Sequence, residues 1–162
     1  LGTTIIISEH DLEEVFPMAD RVIVMDQGKI IIDDEPRNVG SKVKRLNPDM
    51  TFYVSGCDQL PFENGEIGVM TVSAAFHHFP NVQRFAQEAG RVIRIGGMLY
   101  IAEAYLPAIL RVICNPFVKF SRAGDVKFYS PNEIVSLFEN NGFVASGVEI
   151  DGMVQIIKLQ RK

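Results

Sequence analysis

Two adjacent histidines, His77 and His78, are the side chains of this sequence best suited to proton transfer near neutral pH. Imidazole has an ordinary pKa of about 6.5 and can accept a proton from a reacting group at physiological pH. The pair follows the apolar, strand-like residues 67–75, so it lies at a predicted strand end. We expect either a general base beside the substrate or a structural pair, in which one ring packs and the other is hydrogen-bonded.

Two cysteines, Cys57 and Cys114, are too few for a disulfide framework and are not spaced as metal ligands. We expect both to be small packing residues, and we expect no bound metal. The chain has 162 residues, of which 47% are hydrophobic and 22% charged, with a net charge of −4. This composition is typical of a soluble globular domain and excludes a general affinity for nucleic acid or anionic membranes. No apolar run reaches the roughly 18–20 residues that span a bilayer, so a cytoplasmic protein without membrane insertion is expected.

Strand-like and helix-like segments alternate along the chain, which predicts an α/β three-layer sandwich with a mainly parallel sheet. Strands are predicted at residues 3–8, 21–25, 29–32, 51–54, 67–75, 98–102, 144–150 and 153–159, with a hairpin at the turn 26–28. Helices are predicted at residues 11–16, at 82–95 and from the Ser130 cap to Gly142. A shift from acidic to basic composition places a boundary near residue 40, dividing 1–39 from 40–162.

Three stretches carry a family resemblance, namely residues 60–65 (LPFENG), 76–79 (FHHF) and 88–97 (EAGRVIRIGG). They make residues 42–162 similar to the carboxy-terminal two-thirds of a class I S-adenosylmethionine-dependent methyltransferase. The resemblance implies a Rossmann-like sheet, mainly parallel with an antiparallel last strand, and with an atypical or truncated front. It also implies S-adenosylmethionine as cofactor and a small-molecule methyl acceptor, with no nucleic-acid partner.

In that family the cofactor lies at the carboxyl ends of parallel strands. The resemblance places His77 and His78 on the substrate side and implies these cofactor-binding residues: Cys57, Asp58, Gln59, Ser73 and Ala74. Four features depart from the family pattern, among them Gly68 where the family has Asp and Ile95 where it has Pro. The chain has no G-x-G-x-G turn, and Gly56 stands where the family has the Asp that contacts adenine. We therefore expect weak or no methyl transfer from this chain.

Residues 106–120 are apolar, with Arg111 and Lys119 among them. In the family this region often covers the substrate, so an apolar lid would indicate a lipophilic acceptor. Of the alternatives, we favour a helix packed on the sheet, and the sparse basic residues disfavour a helix on a membrane surface. Glu103, which follows the fifth strand, either faces the substrate or, as we favour, is a solvated acid at the strand end.

Residues 4–14 (TIIISEHDLEE) and 19–30 (ADRVIVMDQGKI) make the front of the chain, 2–39, similar to the end of an ABC-transporter ATP-binding domain. In that resemblance His10 matches the histidine that senses the γ-phosphate of ATP. The P-loop that holds the phosphates is absent, so we do not expect this chain to hydrolyse ATP. The strand–helix–strand pattern also suits the missing front of the methyltransferase sheet, with Asp26 near the ribose-binding position.

Two alternatives to a methyltransferase domain stay open at this point. In the first alternative, the chain is a fragment of an ABC-transporter ATP-binding subunit. In the second, it is a recombined or spliced product with no function of its own, for which we expect marginal stability. Its first residue, Leu1 rather than Met, is expected of a piece of a longer chain. The sequence gives neither the methyl acceptor nor the oligomeric state.

Overall fold

The computed structural model describes the strand segments 4–7, 21–24 and 51–52 and the longer ranges 56–118 and 126–162. Within these ranges the elements are, in chain order, β1 (Thr4–Ile7), β2 (Arg21–Val24), β3 (Thr51–Phe52), β4 (Ile67–Ser73), α1 (Val82–Val92), β5 (Ile93–Ala104), α2 (Ala108–Val118), α3 (Pro131–Glu139), β6 (Phe143–Asp151) and β7 (Val154–Arg161). A single 3₁₀ turn, Phe76–His78, lies between β4 and α1.

All the described strands belong to one sheet, in the order β3-β2-β1-β4-β5-β7-β6. Neighbouring strands from β3 to β5 are parallel, whereas β7 runs antiparallel to both β5 and β6. The predicted α/β sheet, mainly parallel with an antiparallel last strand, is therefore confirmed. The order reverses between β1 and β4, because the chain leaves β1 toward β2 and β3 on one side and leaves β4 toward β5 on the other.

The front of the chain supplies the centre of this sheet. β1 pairs with β4 over its full length, from Thr4 opposite Met70 to Ile7 opposite Ser73, and β2 flanks β1 on the other side. This is the placement expected if the ATPase-like segment replaces the missing front of a methyltransferase sheet. The predicted helix 11–16 and hairpin strand 29–32 lie outside the described residues.

Two helices, α1 and α3, pack on the same face of the sheet and on each other. The helical spacing of apolar residues in α1 turns Phe85, Ala89 and Val92 into the core. In α3 the Ser130 side chain accepts a hydrogen bond from the Glu133 amide, and the Glu133 carboxylate accepts one from the Ser130 amide. The predicted capped start of this helix is therefore confirmed.

The end of α1 differs from the predicted helix 82–95. The helix ends at Val92, and β5 begins at Ile93, which pairs with Ile67 of β4. A bulge follows, because Val69 pairs with Met98 and leaves residues 94–97 without partners in the β4–β5 register. The helical pattern of β-branched residues was misleading here because pairing with β4, which is distant in sequence, decides the conformation.

The predicted packing of residues 106–120 on the sheet is wrong for the described part, α2. Only Val118 of its large apolar side chains is buried. The exposed ones are Ile109, Leu110, Val112, Ile113 and Phe117. A helix packed on the sheet would turn these side chains inward.

Candidate functional site

The parallel strands β1 to β5 all end at the same side of the sheet, which we call the carboxyl edge. Its central strands are β1 and β4, where the strand order reverses, and this is the place at which open α/β sheets bind ligands. Ser73 ends β4, and the exposed Ala74 follows it with a φ of +47°, a left-handed conformation that is uncommon for alanine. The Ala74 amide is fixed by a 2.9 Å hydrogen bond to the Ala102 carbonyl of β5. Ser73 and Ala74, two of the predicted cofactor residues, therefore lie where the strand order reverses, which we call the switch point.

His77 is held at the carboxyl edge by a buried carboxylate. Its Nδ1 lies 2.6 Å from Oε1 of Glu103, and its amide donates to Oε2 of the same residue at 3.1 Å. The Ala104 amide donates to Oε1 at 2.8 Å. Because three donors converge on Glu103, its carboxyl group acts as an acceptor and Nδ1 of His77 is the donor; in a neutral imidazole the acceptor nitrogen is then Nε2. The arrangement suits an imidazole that accepts a proton at Nε2.

The Glu103 side chain has no exposed surface, so the expectation of a solvated strand-end acid is wrong. Residues of β5 alternate between two faces, and Glu103 falls on the same face as the buried Leu99 and Ile101. Alternation along the strand was the signal that could have identified Glu103 as a buried acid. Its partner His77 is 26 residues away and could not be inferred from local pattern.

Gln155 is the second buried polar residue among those described, and it lies directly opposite Glu103 on β7. Its Nε2 donates to the carbonyls of Ala104 and Tyr129 at 3.0 and 2.9 Å. These bonds join the end of β5 to the segment before α3. Gln155 thereby fixes the backbone on either side of the buried carboxylate.

The residues that precede α3 cover His77. The Val126 amide donates to the His77 carbonyl at 2.8 Å, and the Phe128 ring stacks on the imidazole with 5.6 Å between ring centroids. Asn115 of α2 in turn bonds the Phe128 backbone twice, with its Oδ1 2.9 Å from the amide and its Nδ2 3.0 Å from the carbonyl. The position of α2 is thus coupled to the histidine through one residue.

Glu133 ties this covering segment to α3. Burial raises the pKa of its carboxyl group, but hydrogen bonds from Lys127 and from the Ser130 amide and hydroxyl outweigh that effect and lower the pKa to about 2. The Lys127 Nζ lies 2.7 Å from Oε1, and Arg111 of α2 lies 3.9 Å from Oε2. The Glu133 carboxylate therefore joins the covering segment, through Lys127, to α3 and to Arg111 of α2.

The loop after β3 contains the other predicted cofactor residues. Cys57 is fully buried, as a packing residue would be, and burial followed by the nearby Asp58 charge raises the pKa of its thiol to about 11. Asp58 and Gln59 are exposed. A Cβ built at Gly56 would lie only 2.6 Å from Oδ1 of Asp58. The Asp58 carboxylate thus occupies the space where a side chain at residue 56 would start.

Glu88 and Arg91 of α1 hold this loop in place. Arg91 donates to the carbonyls of Leu60 and Phe62 at 3.0 and 2.7 Å, and the Leu60 amide donates to Oε2 of Glu88 at 2.8 Å. The two side chains are also paired at 2.7 Å, and the hydrogen bond from Arg91 lowers the pKa of Glu88. Glu88 and Arg91, which we call the 88–91 clamp, therefore fix the backbone of loop 60–65 by hydrogen bonds to Leu60 and Phe62.

The predicted residues are brought together only in part. His77 and His78 lie side by side, with 3.9 Å between ring centroids, in the turn just after Ser73 and Ala74. His10 and Asp26 lie outside the described residues. Within the described ranges no group of three His, Cys, Asp or Glu side chains could hold a metal ion. None of the described helices is long and apolar enough to cross a membrane.

The family model described as a methyltransferase domain matches residues 10–101, on both sides of the predicted boundary at residue 40. Because this match covers more than half of the chain, the chain belongs to the methyltransferase domain family.

Curated relatives match shorter stretches. Over 39 residues the chain is 54% identical to an ABC transporter ATP-binding protein from Bacillus anthracis. That stretch covers 24% of this chain and 7% of the relative. Over 60 residues the chain is 32% identical to a ubiquinone/menaquinone biosynthesis C-methyltransferase from Rhizobium johnstonii. That stretch covers 37% of this chain and 23% of the relative. The chain spans far less than two-thirds of the length of either relative.

Solved structures show the same fold over the whole chain. An S-adenosylmethionine-dependent methyltransferase from Thermotoga maritima superposes with a TM-score of 0.73 at 13% identity, covering 100% of this chain and 83% of that one. A geranyl diphosphate C-methyltransferase from Streptomyces coelicolor, solved with geranyl diphosphate and S-adenosyl-L-homocysteine, gives a TM-score of 0.71 at 10% identity, covering 99% and 72%. At these identities the likeness shows the fold.

Proposed function

We propose that this chain is an S-adenosylmethionine-dependent methyltransferase domain with weak activity. The observation that carries the proposal is the strand order, whose reversal between β1 and β4 creates a ligand crevice at the carboxyl edge. Membership of the methyltransferase domain family supports it. The ABC-transporter alternative is not favoured, because its matches are confined to about a quarter of the chain.

The described residues fit the cofactor at two points. Ala74 presents only a methyl group at the switch point, which leaves room for a ligand beside β4. At residue 56, where the family has the Asp that contacts adenine, this chain has glycine. The Asp58 carboxylate fills the space that a side chain at residue 56 would take. We therefore assign the adenine contact to Asp58, with Cys57 and Gln59 shaping its loop and Ser73 beside the cofactor. The missing glycine-rich turn is the reason for expecting weak binding.

His77 is the proposed general base, with Glu103 as its positioning residue. The cofactor, when bound, supplies an electrophilic methyl group on a sulfonium. With the cofactor bound, Nε2 of His77 would take the proton from the O–H, N–H or C–H group of the acceptor, and the cofactor would supply the methyl group to that atom. Glu103 keeps the proton on Nδ1 and stabilises the imidazolium that results. The His78 ring lies against that of His77, tilted by 46° to it, and supports it.

We propose a lipophilic small molecule as the methyl acceptor. The exposed apolar side chains of α2 lie on an element that Asn115 couples to His77 through Phe128. One relative is named for quinone biosynthesis, and one structural neighbour holds geranyl diphosphate.

We place the domain in the cytoplasm, where its two free cysteines would stay reduced.

Calorimetric titration with S-adenosylhomocysteine tests the cofactor site. We expect a dissociation constant on the order of 10–100 µM, and no binding of Mg-ATP. Ala74→Leu fills the crevice and should weaken binding at least about tenfold, whereas Gln87→Leu, an exposed change in the middle of α1, should leave it unchanged. A folded protein that binds neither ligand, or binds only Mg-ATP, would overturn the proposal.

A further inference from the structure

Strand β6 lies at one end of the sheet and, among the described strands, has a partner on one side only, which is β7. The backbone amides and carbonyls on its other side therefore point away from the sheet. A row of such groups is satisfied as a whole by one kind of partner, another extended strand. The free edge of β6 thus fits a strand and not a helix.

Two apolar side chains lie beside this edge, on the face of the sheet that carries the core. Val148 lies opposite the buried Ile157 of β7, and Ile150 lies opposite the buried Gln155, so both point to the core face. Helix α3, which packs on β6 and β7, leaves them partly uncovered, since Val148 is 44% and Ile150 49% exposed. A second strand alongside β6 would cover both.

The opposite face carries a positive charge that crosses β6 toward its free edge. Lys158 of β7 lies opposite Gly147, and its Cδ comes within 3.3 Å of the position that a Cβ at residue 147 would take. The Lys158 side chain can pass over β6 there because glycine has no side chain. Its Nζ ends 2.6 Å from Oε1 of Glu149, a side chain that is 62% exposed. A carboxylate on a neighbouring strand would meet this ammonium group.

We propose that this edge pairs with β6 of a second copy of the chain, antiparallel and centred on Val148, because the edge is complementary to itself. In that register the two copies of Val148 lie opposite each other, with Ile150 of each copy diagonal to them, so four apolar side chains meet. Glu149 of each copy lies opposite Gly147 of the other, which places each Lys158 between two carboxylates. Pairing centred on Glu149 would instead put two like charges directly opposite each other, which is destabilising.

Disulfide cross-linking tests the register. Residues directly opposite in antiparallel strands have Cα atoms about 4.5–5.5 Å apart, which a disulfide spans. In a Cys114→Ser background, Val148→Cys should therefore form a disulfide-linked dimer on mild oxidation. Ile150→Cys is the matched control, because residue 150 is about as exposed but its two copies would lie about 14 Å apart, so this variant should stay unlinked. Any other pattern of the two variants would overturn the proposal.

Sedimentation equilibrium of the full chain gives a second measurement, which needs neither cofactor nor methyl transfer and so is separate from the cofactor titration. The bulge between Ala145 and Gly147 limits the regular pairing, so we expect a reversible dimer at about 10–100 µM protein.

Two variants locate the interface. Val148→Lys places like charges opposite each other and should raise the dissociation constant of the dimer at least about tenfold. Val112→Lys, the same change at an exposed position of α2, should alter it less than about twofold. A monomer at every concentration, or a dimer that Val112→Lys weakens as much as Val148→Lys does, would overturn the proposal.

Discussion

Replacing Arg91 with lysine measures how much the hydrogen bonds of its guanidinium group stabilise the loop after β3. Arg91 donates to the Phe62 carbonyl through Nη1 and to the Leu60 carbonyl through Nη2, while Nε and Nη2 also bond Glu88. Lysine keeps the positive charge and can still pair with Glu88. Its single ammonium group cannot reproduce the fork that reaches both loop carbonyls at once. The substitution therefore removes hydrogen bonds without removing the charge.

The expected cost follows from those two hydrogen bonds. At a half-buried site each contributes about 1 kcal/mol net, so Arg91→Lys should lower the free energy of unfolding by about 2 kcal/mol. For a domain of this size that loss corresponds to a fall in melting temperature of about 4–8 °C. Because the same loop follows directly from Asp58, S-adenosylhomocysteine should also bind several-fold more weakly.

Urea unfolding followed by circular dichroism measures the effect. The matched control is Arg84→Lys, an exposed change on the same helix whose backbone amide, and not its side chain, bonds the Asn81 cap. We expect the control to change the free energy of unfolding by less than about 0.5 kcal/mol. If Arg91→Lys is no more destabilising than the control, the clamp does not hold the loop.

Three further predictions concern stability and reactivity. Glu133 has its pKa lowered from 4.5 to about 2, so it supplies stability above about pH 4.5 that is lost as the pH falls toward 2. The difference in free energy of unfolding between the wild type and Glu133→Gln should shrink over that range in urea titrations, and a constant difference would contradict the assignment. Gly97→Ala should lower the melting temperature more than Gly96→Ala, because an added Cβ at residue 97 meets backbone oxygens at 2.8 and 2.9 Å. At residue 96 an added Cβ meets nothing within 4 Å, and the cost is limited to the left-handed φ of +79°, about 1–2 kcal/mol for alanine. Equal melting temperatures would show that the backbone of the bulge moves to accept the Cβ at residue 97. Cys57, whose buried thiol has a pKa of about 11, should react with a thiol-specific disulfide reagent at pH 8 far more slowly than the half-buried Cys114, and equal rates would contradict its burial.

Local signals predicted the elements whose conformation local contacts decide. The Ser130–Glu133 capping box marked the start of α3, because both of its hydrogen bonds join residues three apart. The β-branched runs at 4–7 and 21–24 predicted strands that the structure places side by side. The parallel sheet followed from the alternation of strands and helices.

Features that depend on partners far apart in sequence were missed. The end of α1 was placed three residues too late because Ile93 continues the helical pattern, while its pairing with Ile67 makes it part of a strand. Alternation along β5 marks Glu103 as buried, but its partner His77, which is 26 residues away, could not be inferred from a local pattern. For residues 106–120 the sequence showed an apolar segment and favoured packing on the sheet, but in α2 most of the large apolar side chains are exposed, while Asn115 turns inward to bond the Phe128 backbone.

Amide NMR spectra recorded during a titration with S-adenosylhomocysteine test the central claim most directly, because they locate the ligand. We predict that the largest shifts fall at the carboxyl edge, on Ser73, Ala74 and His77 and on the loop that holds Asp58. Residues of β6, at the far side of the sheet, should not shift. Shifts confined to β6 and β7, or no shifts from a folded protein, would contradict a cofactor site at the junction of β1 and β4.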